Sequence, residues 1–297
     1  MSGLSLPSSL RNVWHLLRDT VAGFVEDDAL SRGAAIAYYT LFSLAPILLI
    51  AIAIAGLAFG RDAARGAIVE QLSGLIGGRS AEALQAMIES ASDPKTGLTA
   101  SLIGILAALI TLTGAFGEVQ SALNAVWKAK SRRSTLSRLV RARLASLGLV
   151  LTSGFLLTVS LVVSAALAAV SDYLKAVFPA AELALQVADI VISGALLTGM
   201  FAAIFKILPD TPIDWRDVAI GALFTAGLFE GGKYAIAFYI GKSDVASSYG
   251  AAGALIILLL WIFYSAQIFL LGAEFTRAFA RRYGSHAGRD VSNPIPS

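Results

Sequence analysis

The chain has 297 residues, 57% of them hydrophobic and only 14% charged, with a mean hydropathy of +0.74. Soluble domains carry about 25% charged residues, so this composition excludes an ordinary soluble fold and points to an integral membrane protein. The net charge is only +3, and the basic residues stand in blocks between apolar runs, a pattern of membrane orientation rather than nucleic-acid binding. The absence of cysteine removes disulfides, thiolate metal sites and thiol catalysis.

Residues 8–31 predict an amphipathic helix. Leu10, Val13, Trp14, Leu17, Val21, Phe24 and Val25 recur at helical spacing, and Arg11, Arg18, Asp19 and Glu26 fall mostly elsewhere. Such a helix either lies in the membrane interface or packs on the cytoplasmic end of the bundle, and both readings stand. Residues 1–32 scatter charge through the segment and lack the isolated apolar core of a cleavable signal.

The first span is expected over 33–59. It is longer than the hydrocarbon layer requires, and Pro46 predicts a kink that frees a carbonyl near Phe42. Tyr38, Tyr39, Thr40 and Ser43 place hydroxyls before that kink. Residues 61–95 are too polar to span. Ile68, Leu72, Leu75 and Ile76 form one stripe, and Leu84, Met87, Ile88 and Ala91 form another. Gly77-Gly78 breaks between them and Asp93-Pro94 ends the second, which predicts an amphipathic helical hairpin on the outer membrane face.

The second span is expected over 97–117, followed by Glu118, Gln120, Asn124 and Trp127 at head-group level. Seven basic residues occupy 128–143: Lys128, Lys130, Arg132, Arg133, Arg138, Arg141 and Arg143. The third span covers 144–170. The fourth covers 184–208, with Asp189 near its start and Lys206 near its end. Asp214-Trp215-Arg216 opens the fifth, and the sixth runs over 250–275 with Trp261, Gln267 and Glu274. With the N-terminus inside, sixteen of the 23 Lys and Arg residues fall in cytoplasmic segments and six in outer ones.

The expected fold is therefore all-α: a polytopic membrane protein of six transmembrane helices with both termini cytoplasmic. It divides into an interfacial helix (1–32), a transmembrane domain (33–276) and a cytoplasmic tail (277–297). No internal repeat is visible, so the sequence offers no inverted-repeat signature of a transporter.

The fifth span carries the most informative residues. Gly221–Tyr239 is apolar enough to cross a bilayer, yet holds Glu230 and Lys233 near its middle. A charge at that depth costs about 2.5–3.5 kcal/mol on insertion scales. Three residues apart, the two side chains share a helix face and can pair. Gly227 and Gly231 form a G-x-x-x-G beside them, a predicted close-packing surface. The pair is either a structural lock between helices or part of a transport path. Glu118, Asn124, Gln267, Glu274 and Tyr39 are further polar groups that can join it in a cleft.

Catalytic motifs are absent. His15 and His286 lie near opposite ends of the chain, and no carboxylate cluster has metal-ligand spacing. There is no P-loop, nucleophile elbow or dinucleotide glycine run. The expectation is a protein that is not an enzyme and uses no metal or cofactor. The run 128–143 sets topology or attracts anionic head groups, and beyond Trp127 it lacks the aromatic interleaving of an RNA site.

Several blocks carry a resemblance: AIAYYTLFSLAPILL in the first span, Gly117 with Asn124 and Trp127, Pro212 with Asp214-Trp215-Arg216, Phe229-Glu230 with Lys233 and Tyr239, and SSYGAAGALIILLLWIFYSAQIFLLGAEF at the end. Over residues 20–280 the sequence resembles the YihY/BrkB family of bacterial inner-membrane proteins, formerly labelled ribonuclease BN. It departs from many relatives at Phe229, where Trp is expected. The resemblance implies a six-span plasma-membrane protein of the bacterial envelope. Its old nuclease label finds no catalytic centre here, whereas links of relatives to lipopolysaccharide and lipid movement fit the residues.

The leading expectation is a transporter or exchanger of anionic lipid, a phospholipid or lipid A precursor, in envelope biogenesis. The alternative is a non-catalytic scaffold for envelope-assembly proteins. The partners this admits are anionic lipid head groups, periplasmic envelope proteins and a second copy of the chain, with nucleic acid excluded.

Overall fold

The computed structural model describes residues 8–76, 84–85, 88, 114–129, 181–242 and 251–286. Among these residues the regular structure is all helix, with no strand. The helices are α1 (Ser8–Glu26), α2 (Ala29–Phe59), α3 (Arg61–Ile76), α4 (114–126), α5 (Ala181–Ile207), α6 (Trp215–Lys242) and α7 (Ala251–Arg282). The third predicted span, the basic run beyond 129 and the tail beyond 286 lie outside the described residues, as do Met87 and Ala91 of the hairpin.

Among the described residues, two helices carry a segment long and apolar enough to cross a membrane by length and composition, Ile190–Ile207 in α5 and Leu255–Arg282 in α7. They are the predicted fourth and sixth spans. The predicted first and fifth spans form as the single helices α2 and α6. α2 runs unbroken through Pro46 to Phe59, about 46 Å at helical rise. It stops at Gly60, whose φ of 86° is left-handed. Of the second predicted span only 114–117 is described, and the helix there runs on to 126.

α1 and α2 are separated by only two residues. Asp28 adopts φ 54°, ψ 42°, a left-handed conformation that a short polar side chain tolerates. It also accepts a hydrogen bond from Ser31 Oγ at 3.0 Å. α1 then packs on α7 through Leu16, Thr20 and Gly23, which are buried. Its predicted apolar stripe points the other way: Val13, Trp14, Leu17, Val21 and Val25 are all exposed. The two sequence readings of this helix are therefore compatible, since one face meets the bundle and the apolar face remains free.

Two hydrophobic clusters hold the bundle. The first joins Ile36, Leu123, Phe201, Phe205, Val218 and Leu270 from α2, α4, α5, α6 and α7. The second joins Leu48 and Ile52 of α2 to Ile68, Leu84, Ile88, Leu258 and Ile262. The hairpin stripe that was expected to rest on the membrane surface therefore turns inward at Ile68, Leu84 and Ile88, against α2 and α7. Burying such side chains stabilises each by about 1.5–3 kcal/mol, which outweighs contact with a wet head-group layer. Phe229 bridges the clusters, with its ring centroid 5.9 Å from Phe201 and 5.8 Å from Trp261.

α6 and α7 run antiparallel and approach closely through a reciprocal contact. A Cβ at Gly221 would collide with Thr276, and a Cβ at Gly272 would collide with Thr225. Each threonine hydroxyl returns its proton to the carbonyl one turn earlier at 2.7 Å, Thr225 to Gly221 and Thr276 to Gly272. No hydroxyl is left unpaired, so the packing carries no desolvation penalty. Further along, Phe224 stacks on Phe275 at 3.8 Å. At the end of the pair, Asp217 Oδ2 accepts from the Ser285 amide and hydroxyl at 2.9 and 2.7 Å.

Candidate functional site

Lys233 Nζ lies 2.7 Å from Glu230 Oε2, the i,i+3 pair expected from spacing. The Lys233 and Glu230 side chains keep 24% and 40% of their exposure, so the described helices do not close over the pair. The neighbouring glycines behave differently from expectation. Among the described residues nothing lies within 4 Å of a Cβ built at Gly227 or Gly231. The close contact belongs instead to Gly232, against Tyr264 and Ile268. α6 therefore turns Phe229, Gly232 and Ile236 toward α7, and leaves Leu223, Gly227, Gly231 and Tyr234 on a face that no described residue covers.

A second charged group forms where α1 turns into α2. Asp27, only 7% exposed at its side chain, pairs with Lys128 through Oδ1 and with Arg277 Nη1 through Oδ2 at 3.2 Å. Arg277 Nη1 is also 3.6 Å from Glu274 Oε2. Arg32 Nε donates to the Asp27 carbonyl at 2.9 Å. The carboxylate of Glu274 rests on Gly23, where any Cβ would strike it, and Glu274 is 2% exposed. Its Oε1 has no hydrogen-bond partner among the described residues. Four elements thus converge on Asp27, and a buried carboxylate with two cations can offset its desolvation where one alone would struggle.

Asp27 was not singled out by sequence, and Lys128 and Arg277 entered only as topology charges. They lie 101 and 250 residues from Asp27, and no local spacing connects them. The remaining expected cleft residues are held elsewhere. Asn124 Nδ2 donates to Asp210 Oδ2 at 2.9 Å, and the Asp210 amide donates back to Asn124 Oδ1 at 2.9 Å. Gln120 Nε2 donates to the Leu208 carbonyl at 3.1 Å, so α4 is fastened to the α5–α6 connection. Gln267 packs against Gly33 and donates to the Leu30 carbonyl at 3.4 Å. Tyr39 faces Gly114, and Glu118 is half-buried.

The structure thus brings Glu230 to Lys233, and brings Glu274 and Gln267 to the α1–α2 segment. Among the described residues, Tyr39, Glu118, Asn124, Gln267 and Glu274 make no hydrogen bond or ion pair with Glu230 or Lys233. Nor do those residues contain a cluster of three His, Asp or Glu placed to hold a metal ion.

The sequence was compared with known proteins. The family model described as "Virulence factor BrkB" matches residues 20–294. The chain belongs to the BrkB virulence factor family. A UPF0761 membrane protein of Alkalilimnicola ehrlichii is 27% identical over 289 residues, 90% of this chain and 60% of the relative. UPF0761 membrane protein RSc1559 of Ralstonia nicotianae is 32% identical, over 84% of this chain and 55% of its own length. UPF0761 membrane protein PSHAa0171 of Pseudoalteromonas translucida is 31% identical, over 85% of this chain and 81% of its own. The chain spans little more than half the length of the first two. No solved structure matches it.

Membership in the BrkB family confirms the resemblance carried by the first and last spans. It also confirms a membrane protein, in agreement with the apolar helices α5 and α7. In this BrkB family member, the blocks that carry the resemblance contribute to both charged groups: Glu230 with Lys233 in α6, and Glu274 in α7.

Proposed function

We propose that this membrane protein moves or exchanges anionic lipid in the bacterial inner membrane. In this reading the chain crosses the bilayer six times with both ends in the cytoplasm, and it performs no chemical step. Lys233 receives the head-group phosphate, leaving Glu230 as the lipid enters, while the acyl chains stay in the bilayer. A lysine ammonium suits this role as a compact charge on a flexible stem.

The observation that supports the reading is the state of the Glu230–Lys233 pair. It is formed at 2.7 Å in an otherwise apolar helix, yet it is only partly buried. A pair that served packing alone would be enclosed by neighbouring helices, whereas partial exposure leaves its charges open to a polar ligand. The adjacent uncovered face at Gly227 and Gly231 leaves room beside it for an acyl chain among the described residues. Tyr39 and Glu274, expected beside this pair, have no part in the revised path.

The test is transfer of a fluorescent anionic phospholipid between leaflets of proteoliposomes. The wild type should transfer, and Lys233→Ala should lose most of the activity while inserting normally. Equal transfer by both proteins removes Lys233 from the mechanism.

A further inference from the structure

We infer that the slot between α1 and α7 binds a lipid head group carrying both a phosphate and a primary ammonium, of the phosphoethanolamine type. This site is separate from Glu230 and Lys233, and it stands whether or not the protein moves lipid.

The slot has a volume of about 440 Å³, in the range of small-ligand sites. Its walls differ in sign. α1 contributes Asp19 and Glu26, and α7 contributes Arg277, Arg281 and Arg282, with Glu274 also in the lining. Asp19 and Glu26 on α1 face Arg277, Arg281 and Arg282 on α7, so the two signs are divided between the helices. A simple anion would meet the α1 carboxylates, and a simple cation would meet the arginines. A zwitterion satisfies both walls at once, with its phosphate on the α7 side and its ammonium on the α1 side.

Binding capacity remains in several of these groups. Arg281 is exposed and has no partner among the described residues. Arg282 pairs with Asp19 at 3.2 Å, but both side chains are partly exposed, so the pair opens at little cost. Glu26 is 71% exposed at its side chain and, among the described residues, reaches only Lys128, at 3.4 Å. Glu274 is 2% exposed and stands beside the Asp27 carboxylate and Arg277, so it belongs to the Asp27 group rather than to the charged walls. A primary ammonium brings three N–H donors, whereas a quaternary choline nitrogen brings none.

The source of the head group follows from α1. Asp19, Gly23 and Glu26 face the slot, while Trp14, Val21 and Val25 on the same helix are exposed. A helix with that division lies at the bilayer surface with its apolar side in the acyl boundary. The slot then opens at head-group level, where a membrane lipid is presented.

The experiment is native mass spectrometry of the purified full chain in detergent. It is titrated with short-chain phosphatidylethanolamine, phosphatidylcholine and phosphatidylglycerol, and with soluble glycerophosphoethanolamine. Phosphatidylethanolamine should be retained at about tenfold lower concentration than the other two lipids, equivalent to roughly 1.4 kcal/mol. Glu26→Gln and Arg281→Gln, both at exposed positions, should remove most of that preference without changing the melting temperature. Ala22→Phe, which fills the slot, should do the same. Equal retention of the ethanolamine and choline lipids overturns the site. So does an unchanged preference in the three variants. Tight binding of glycerophosphoethanolamine alone overturns the assignment to a membrane lipid.

Discussion

Thr276 of α7 lies directly over Gly221 of α6, and the relation is repeated in reverse four residues along, where Thr225 covers Gly272. A methyl group at Gly221 has no space to enter, because the threonine is fixed by its hydrogen bond to Gly272. Gly221→Ala should therefore lower stability by about 1–3 kcal/mol, the usual cost of overpacking. Gly227→Ala should leave it unchanged or slightly raised, since no described residue approaches that position. Thermal unfolding in detergent, followed by circular dichroism, separates the two. Equal losses would return the close contact to the Gly227–Gly231 surface.

Asp27 holds two cations from distant helices, so its loss should be felt widely. Asp27→Ala leaves Arg277, whose side chain is 13% exposed, without that carboxylate. Breaking a buried pair on one side costs about 3–5 kcal/mol. Glu26→Ala touches only an exposed pair and should cost under about 1 kcal/mol. The check is the urea dependence of each variant in mixed micelles, and similar midpoints would contradict the ranking.

Asn124 and Asp210 exchange two hydrogen bonds across 86 residues. Asn124→Ala removes both, and should destabilise by about 1–3 kcal/mol if the Asp210 amide stays dry. The local consequence is more specific. Protease cleavage within 208–213 should accelerate several-fold, while the α6–α7 pair keeps its protection. Uniform acceleration along the chain would instead indicate global unfolding.

Replacing Glu230 and Lys233 together by Leu and Met removes the ion pair without leaving one charge alone. Such exchanges are often neutral or stabilising. The double variant should insert and melt like the wild type, yet fail to transfer anionic lipid. Retained transfer would remove the pair from the transfer path, and failed insertion would make the pair a folding device.

Some of this architecture was legible in the residues. Apolar runs announced α2, α5, α6 and α7, because burial in lipid demands a continuous hydrophobic surface. The Glu230–Lys233 contact was legible too, since i,i+3 spacing fixes it locally. The Asp27–Arg277 contact was not, because only tertiary folding joins residues 250 positions apart. Close packing of this helix was expected at Gly227 and Gly231, with no partner helix named, and the α6–α7 contact falls at other positions. Gly221 with Thr225 and Gly272 with Thr276 show that threonine serves as a small packing residue when its hydroxyl is satisfied within its own helix. For α1 the stripe was visible, but periodicity alone does not say which side faces the protein.

That last arrangement has a mechanical consequence. α1 is fastened to its neighbours by a threonine, a glycine and an aspartate, and it shows valine and tryptophan to the outside. It is built like a float on a short tether. A helix so divided would settle at a lipid surface, and a change in leaflet thickness would then pull through Asp27 on the end of α7.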